Sequence, residues 1–200
     1  MKTLIKNKVQ ISSKDFDSLA DTILNESTLQ INKIPYRVIE IEFYLHNDEH
    51  QDKYAHQNAE QLNYGYWYFH KHKNGTPKGG TRKGLDFTLG NEKCYFGILR
   101  RGIKRIDTGE IIEGPCLTVN RILSEYKVEN IVDLKYSEDN KLEFKDAKLQ
   151  KEDIYKGPRV GIDTKDKIKY PDYADRKYRY LIYKNKIKKL KKNLKLIIST

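Results

Sequence analysis

Glu40, Glu42 and Tyr44 alternate along the stretch RVIEIEFYLH at positions 37–46. A strand with that spacing sets them on one face, with Val38, while Ile39, Ile41, Phe43 and Leu45 line the other. A carboxylate beside a phenol and close in sequence to His46, His50 and His56 can take a proton from water and hold a flat ligand. The plainer alternative is a glutamate facing solvent from a half-exposed sheet. His46 and His50 also have the i, i+4 spacing of helical metal ligands, with Asp48, Glu49 and Asp52 nearby. Neither an HExxH nor a CxxC pattern accompanies them, so neither metal nor cofactor is predicted.

The stretch KGGTRKG at 78–84 lets backbone approach an anion, with Arg82 and Lys83 adding charge. It lacks the spacing of a Walker A loop, and an exposed hairpin is the alternative. The tail KNKIKKLKKNLKLIIST places Ile187, Leu190, Leu194 and Ile197 on one helical stripe among lysines.

The elements that must position these groups follow from periodicity. Ser12 and Asp15 form a capping-box pattern, and Phe16, Leu19, Ala20, Ile23 and Leu24 then repeat at helical spacing. Period-two segments at 28–31 and 36–45, separated by NKIP, predict a strand pair. Positions 46–63 are polar and read as a loop with a helical turn. Further strands are predicted at 65–70, 85–90 and 95–106, with a turn at Asp107, Thr108 and Gly109, a helix opening near Pro115, and a late strand at 177–183. Positions 127–155 are charged and weakly patterned. Helices toward the ends, strands between them and no βα alternation predict one α+β domain over 1–183, a curved antiparallel sheet flanked by helices, followed by a basic tail or helix at 184–200.

Two hundred residues suffice for one core, and 15 Tyr, 6 Phe and one Trp argue against disorder. Two cysteines make no disulfide framework, and no apolar run has the length of a signal h-region or a membrane span. The expectation is a soluble intracellular monomer that meets no membrane, in the cytoplasm or nucleoid, or in a eukaryotic nucleus. The net charge of +11 is concentrated in two blocks, 70–105 and 165–196, on an otherwise acidic chain. That distribution fits a polyanion partner, most simply nucleic acid, or else a solvated lysine-rich surface.

In their order, these pieces resemble the alkyladenine (3-methyladenine) DNA glycosylase family. Its pattern is a VETEAYLG strand, a loop ending AxH, an aromatic strand, a strand ending LLRA, a segment beginning GP, an RVGV segment and a late RFYV strand. Here stand IEIEFYLH, YAH at 54–56, GYWYFH, GILRRGI, GPCLTVNRIL, GPRVGI and KYRYLIY, over about 19–183.

The resemblance implies an alkyladenine-glycosylase-like fold and base-excision repair of double-stranded DNA. Glu42 would activate water for attack on C1′ of an extruded damaged purine. Tyr44 and His56, with Tyr68 and His70 beside them, would hold the base, and Arg100 would bind the phosphodiester around it. Arg82, Lys83, Arg101 and Arg159 would face the DNA backbone. Three departures stand out: His70 replaces a stacking tyrosine, the loop at 72–83 lacks an apolar wedge, and the asparagine that some members use against guanine's amino group has no clear counterpart in GLDFTLG, where Asp86 or Thr88 would line the pocket. Two alternatives remain: a non-catalytic binder of duplex DNA or modified bases on the same scaffold, and a hydrolase acting on RNA or nucleosides.

Overall fold

Ser12 and Asp15 cap each other's backbone at the start of a short 3-10 turn, and helix α1 (Phe16–Asn25) continues from it. In this computed structural model, residues 12–135 and 141–188 are described, together with the backbone of 195–197. Phe16, Leu19, Ala20, Ile23 and Leu24 all face inward from α1, as their spacing requires. Arg37 closes its far end: Nε donates to the Leu24 carbonyl at 2.8 Å and Nη2 to Asn25 Oδ1 at 2.6 Å. The cation thereby satisfies an orphan carbonyl and sits at the negative pole of the helix.

Strands β1 (Ser27–Ile31) and β2 (Ile34–His46) are joined by Asn32 and Lys33 alone, both at positive φ (48° and 70°), which matches the twist of a two-residue hairpin. The remaining elements are β3 (Tyr64–Phe69), β4 (Leu85–Leu89), β5 (Tyr95–Arg105), β6 (Ile111–Glu113), α2 (Pro115–Glu125), β7 (Glu143–Asp146), β8 (Ile154–Gly157), α3 (Thr164–Lys169), β9 (Arg179–Leu181) and β10 (Lys195–Ile197). They build one sheet in the order β10-β8-β9-β2-β5-β4-β3, with β1 and β6 attached to β2 and β5 and β7 to β1; every pairing is antiparallel. The α+β architecture is the one the sequence predicts.

Two strands, β7 and β8, arise in the weakly patterned stretch 127–155. Each is four residues long, and each is held by pairing with a stronger strand, β1 or β9. In the tail, Ile187 is buried and 195–197 form a strand beside β8 rather than a helical turn. The rest of the expected helical stripe, at 189–194 and 198–200, lies outside the described residues. No helix among the described residues is long and apolar enough to cross a membrane.

The core lies between α1 and one face of β2 and β5. The Phe16 ring stacks on Phe43 at 4.4 Å and on Phe96 at 5.6 Å, while Tyr178 meets it edge-on at 5.0 Å. Truncating Phe16 removes the ring that joins helix to sheet and leaves a cavity. Phe16→Ala is expected to lose about 3–5 kcal/mol of stability, lowering the urea midpoint with little change in slope. A loss under about 1 kcal/mol would mean that α1 is not anchored through this ring.

Candidate functional site

The face of β2 away from α1 carries Glu40 and Glu42, both inside the protein, Glu42 with no exposed surface at all. The β2–β5 ladder is irregular beside this pair: Val38 pairs with Ile103, Glu40 with Gly102, and Ile41 with Arg100, so Ile39 on β2 and Arg101 on β5 are each left without a ladder partner. The register is the same on both sides of the break, and ordinary alternation therefore sets Arg101 across from Glu40 and on its face. Its Nε lies 2.9 Å from Glu40 Oε1 and 3.3 Å from Glu42 Oε1, and Arg179 Nε donates to Glu40 Oε1 at 2.7 Å. Glu40 is thereby held between two guanidinium groups.

Glu42 has a different set of partners. The Val160 amide donates to Oε1 at 2.7 Å, the Tyr44 hydroxyl donates to Oε2 at 2.8 Å, and Arg101 Nη1 reaches Oε2 at 3.5 Å. Burial drives its pKa up, and Arg101, the Val160 amide and Tyr44 only partly oppose that, so the net shift is above the ordinary carboxylate value. A carboxylate tuned upward in this way is suited to act as a general base near neutral pH.

Val160 is positioned by its neighbour. Arg159 makes a two-point ion pair with Asp52, Nη1 to Oδ2 at 2.5 Å and Nη2 to Oδ1 at 3.1 Å, and also donates to the Phe43 and Tyr173 carbonyls. Its guanidinium carbon lies 4.5 Å from the centre of the Tyr44 ring. This buried ion pair ties the 46–63 loop and the 157–163 segment to β2.

In front of Tyr44 opens a cavity of about 550 Å³, bordered also by His56, His70, Gln61, Lys78 and Asp86. The His56 and His70 rings are 4.2 Å apart, and His56 Nδ1 lies 3.4 Å from the Tyr68 hydroxyl. The packed walls, followed by the nearby His70, push the His56 pKa down to about 4, although its exposure at the rim means that solvent screens part of that push. His56 is therefore neutral at pH 7. On the floor, His70 Nε2 meets Asp86 Oδ1 at 2.8 Å. Burial pulls the Asp86 carboxyl upward, but His70 foremost, joined by His56 and Arg100, outweighs it and the net shift is downward, so Asp86 is ionised.

The structure thus brings Tyr44, His56, Tyr68 and His70 together, with Glu42 directly behind Tyr44. Neither arginine of GILRRGI takes the place the resemblance implied. Arg100 points to the opposite face, fully buried, its guanidinium 4.1 Å from Trp67 and 5.0 Å from Phe144, and burial drives its pKa down. It lies beyond the reach of any phosphodiester, and Arg101 is the arginine beside Glu42. Arg159, expected at the DNA backbone, is likewise interior. Arg82 is exposed on the 72–83 loop, and Lys83 Nζ donates to Asn120 Oδ1 at 2.8 Å. Sequence reasoning missed Gln61 and the Val160 amide, and placed Lys78 only within the basic stretch 78–84. Gln61 sits in a single 3-10 turn (Ala59–Leu62) too short to show periodicity, and a backbone amide carries no residue signal. Among the described residues no group of three or more His, Cys, Asp or Glu could hold a metal ion.

No family model matches the chain. It is 43% identical, over 201 aligned residues, to Uncharacterized protein L759 of Acanthamoeba polyphaga mimivirus, an alignment covering 90% of this chain and 91% of that protein. The chain belongs to the family of that mimivirus protein. In this family member, the Arg159–Asp52 pair is the tie between the cavity loops and the sheet. Asp52→Ala would strand a buried guanidinium and is expected to cost about 3–5 kcal/mol, whereas Arg82→Ala on the exposed loop should stay within about 0.5 kcal/mol. Equal losses in chemical denaturation would contradict that division.

Proposed function

We propose that the protein is a monofunctional DNA base-excision glycosylase of the alkyladenine type, hydrolysing the N-glycosidic bond of a damaged purine, alkylated or deaminated, extruded from duplex DNA. One observation carries this reading. A buried carboxylate with a raised pKa stands directly behind the Tyr44 wall of a cavity whose other sides carry His56, His70 and Asp86. Tyr44, His56 and His70 come from three separate motifs that carry the family resemblance.

In the reaction, the base lies in the cavity against Tyr44 and His56, and positive charge develops at C1′ as the glycosidic bond breaks. Glu42 stabilises that charge and takes a proton from the attacking water. Arg101 and the Val160 amide hold the carboxylate in place. Lys53 at the cavity and the exposed Arg82 meet the phosphates. Extrusion costs least at damaged or mismatched pairs, which favours such sites over intact duplex.

A second reading, a non-catalytic binder of duplex DNA or modified bases, is favoured by one feature: Glu42 has no exposed surface and both its oxygens are engaged. Single-turnover base release from duplexes carrying hypoxanthine, 1,N6-ethenoadenine or alkylated purines separates the two. For a glycosylase, Glu42→Gln should lower release by about 10²-fold or more while sparing salt-dependent duplex binding. The wild-type rate should rise with pH through a limb above the ordinary glutamate value of 4.5, because the group must lose its proton to act and its pKa is raised. Binding without release in both proteins would leave the non-catalytic reading.

A further inference from the structure

The cavity floor is more elaborate than a stacking pocket needs. Asp86 is 2% exposed and borders the cavity, with His70 on Oδ1 and the Gln61 amide nitrogen on Oδ2 at 3.0 Å. Gln61, itself buried, is oriented by its other end, where Oε1 accepts from the Asn58 amide at 3.3 Å.

Two glycines make room for this cluster. A Cβ on Gly97 of β5 would lie 2.4 Å from Asp86 Oδ2 and 2.6 Å from Gln61 Nε2, and one on Gly84 would lie 2.4 Å from His70 Nδ1. Neither glycine has a positive φ, so space rather than backbone conformation excludes a side chain at both. The sheet gives up two side chains to seat one carboxylate.

An ionised carboxylate accepts up to four hydrogen bonds and donates none. Asp86 uses two on His70 and Gln61, which leaves acceptor capacity toward the cavity. The same cavity is bordered by Lys78, whose Nζ lies 3.5 Å from His56 Nε2 and can only donate. An acceptor-only group and a donor-only group on one cavity complement a flat ligand whose edge carries an N–H beside a carbonyl. On a purine that edge is N1–H with O6. A 2-amino group adds a second donor to the carboxylate on the same side. A 6-aminopurine inverts the pattern, setting its N1 lone pair against the carboxylate and its amino group against the lysine.

We propose that this cavity selects 6-oxopurines, of the hypoxanthine or guanine type, over 6-aminopurines, with Asp86 as the specificity-determining acceptor for N1–H and Lys78 as the donor to O6. This rests on the cavity taking a nucleobase, as in the glycosylase reading, but it does not depend on bond cleavage. Asp86 and Gln61 are set by β4, β5 and the 58–62 turn, independently of the Glu42 cluster.

The test is titration of the full-length protein with free hypoxanthine and free adenine, followed by NMR chemical-shift changes. Hypoxanthine should bind at least about tenfold tighter than adenine. Asp86→Asn, which can donate as well as accept, should bring the ratio close to one. Lys78→Met, altered on a loop where the sheet cannot be disturbed, should weaken hypoxanthine several-fold and leave adenine unchanged. It therefore keeps the test decisive should Asp86→Asn unfold. Equal or tighter binding of adenine, a ratio that neither folded variant changes, or no binding of either base would each overturn the proposal. Base release from lesion duplexes without an oxopurine preference would overturn the specificity and leave the glycosylase standing. Discrimination between the free bases without release from any duplex would do the reverse.

Discussion

Two carboxylates two residues apart, buried on one face of a sheet, must be met by cations inside the protein or give up their charge. The structure meets them across the β2–β5 pair, whose register sets Ile41 against Arg100 and Glu42 against Leu99. Successive residues of a strand point to opposite faces. Arg101, two residues from Leu99, therefore falls on the side of Glu40 and Glu42, where Arg179 from β9 completes the set. Arg100, one residue earlier, is left on the other face, and there Trp67, Phe87 and Phe144 surround its guanidinium in place of a carboxylate. The two adjacent arginines thus solve two different burial problems, and the polar face of the sheet depends on the cations that β5 and β9 supply to it.

The sheet then divides the molecule by chemistry. Its α1 side is an aromatic and aliphatic core built on Phe16, Phe43 and Phe96; its other side is a polar floor over which loops close. Those loops have few apolar anchors of their own. The Arg159–Asp52 pair substitutes for them, linking two distant segments and also bracing the Tyr44 ring. A rigid sheet with a charged tie to its loops is a workable way to hold a site whose walls come from irregular backbone.

Strong periodicity made much of this legible. The 3.6-residue pattern of α1, the alternation in β2 and the turn chemistry around Asn32 and Gly109 are local signals, and they set the element order and the α+β class. The gathering of Tyr44, His56 and His70 followed from motif order rather than from any local rule. What sequence could not carry was register. GILRRGI contains two arginines, and only the β2–β5 register decides which faces Glu42, because a slip of one residue exchanges faces. Strands β7 and β8 escaped for a related reason: short, charged segments become strands when a neighbouring edge recruits them, as β1 recruits β7 and β9 recruits β8. Arg159 reads as a surface cation until Asp52, far away in the chain, is seen beside it.

A hydrolytic role for Glu42 places a specific demand on Tyr44. Water must reach Oε2, and in this structure the Tyr44 hydroxyl occupies that oxygen while the Tyr44 ring forms the cavity wall. The residue that covers the carboxylate is therefore the residue against which a ligand would lie. Oε1 stays fixed by the Val160 amide, so movement of Tyr44 leaves Oε2 with only the long 3.5 Å contact from Arg101 Nη1 while the carboxylate keeps its orientation. Coupling ligand contact to exposure of Glu42 through one ring would keep the base away from bulk water until the cavity is filled, which links occupation of the pocket to the acquisition of reactivity.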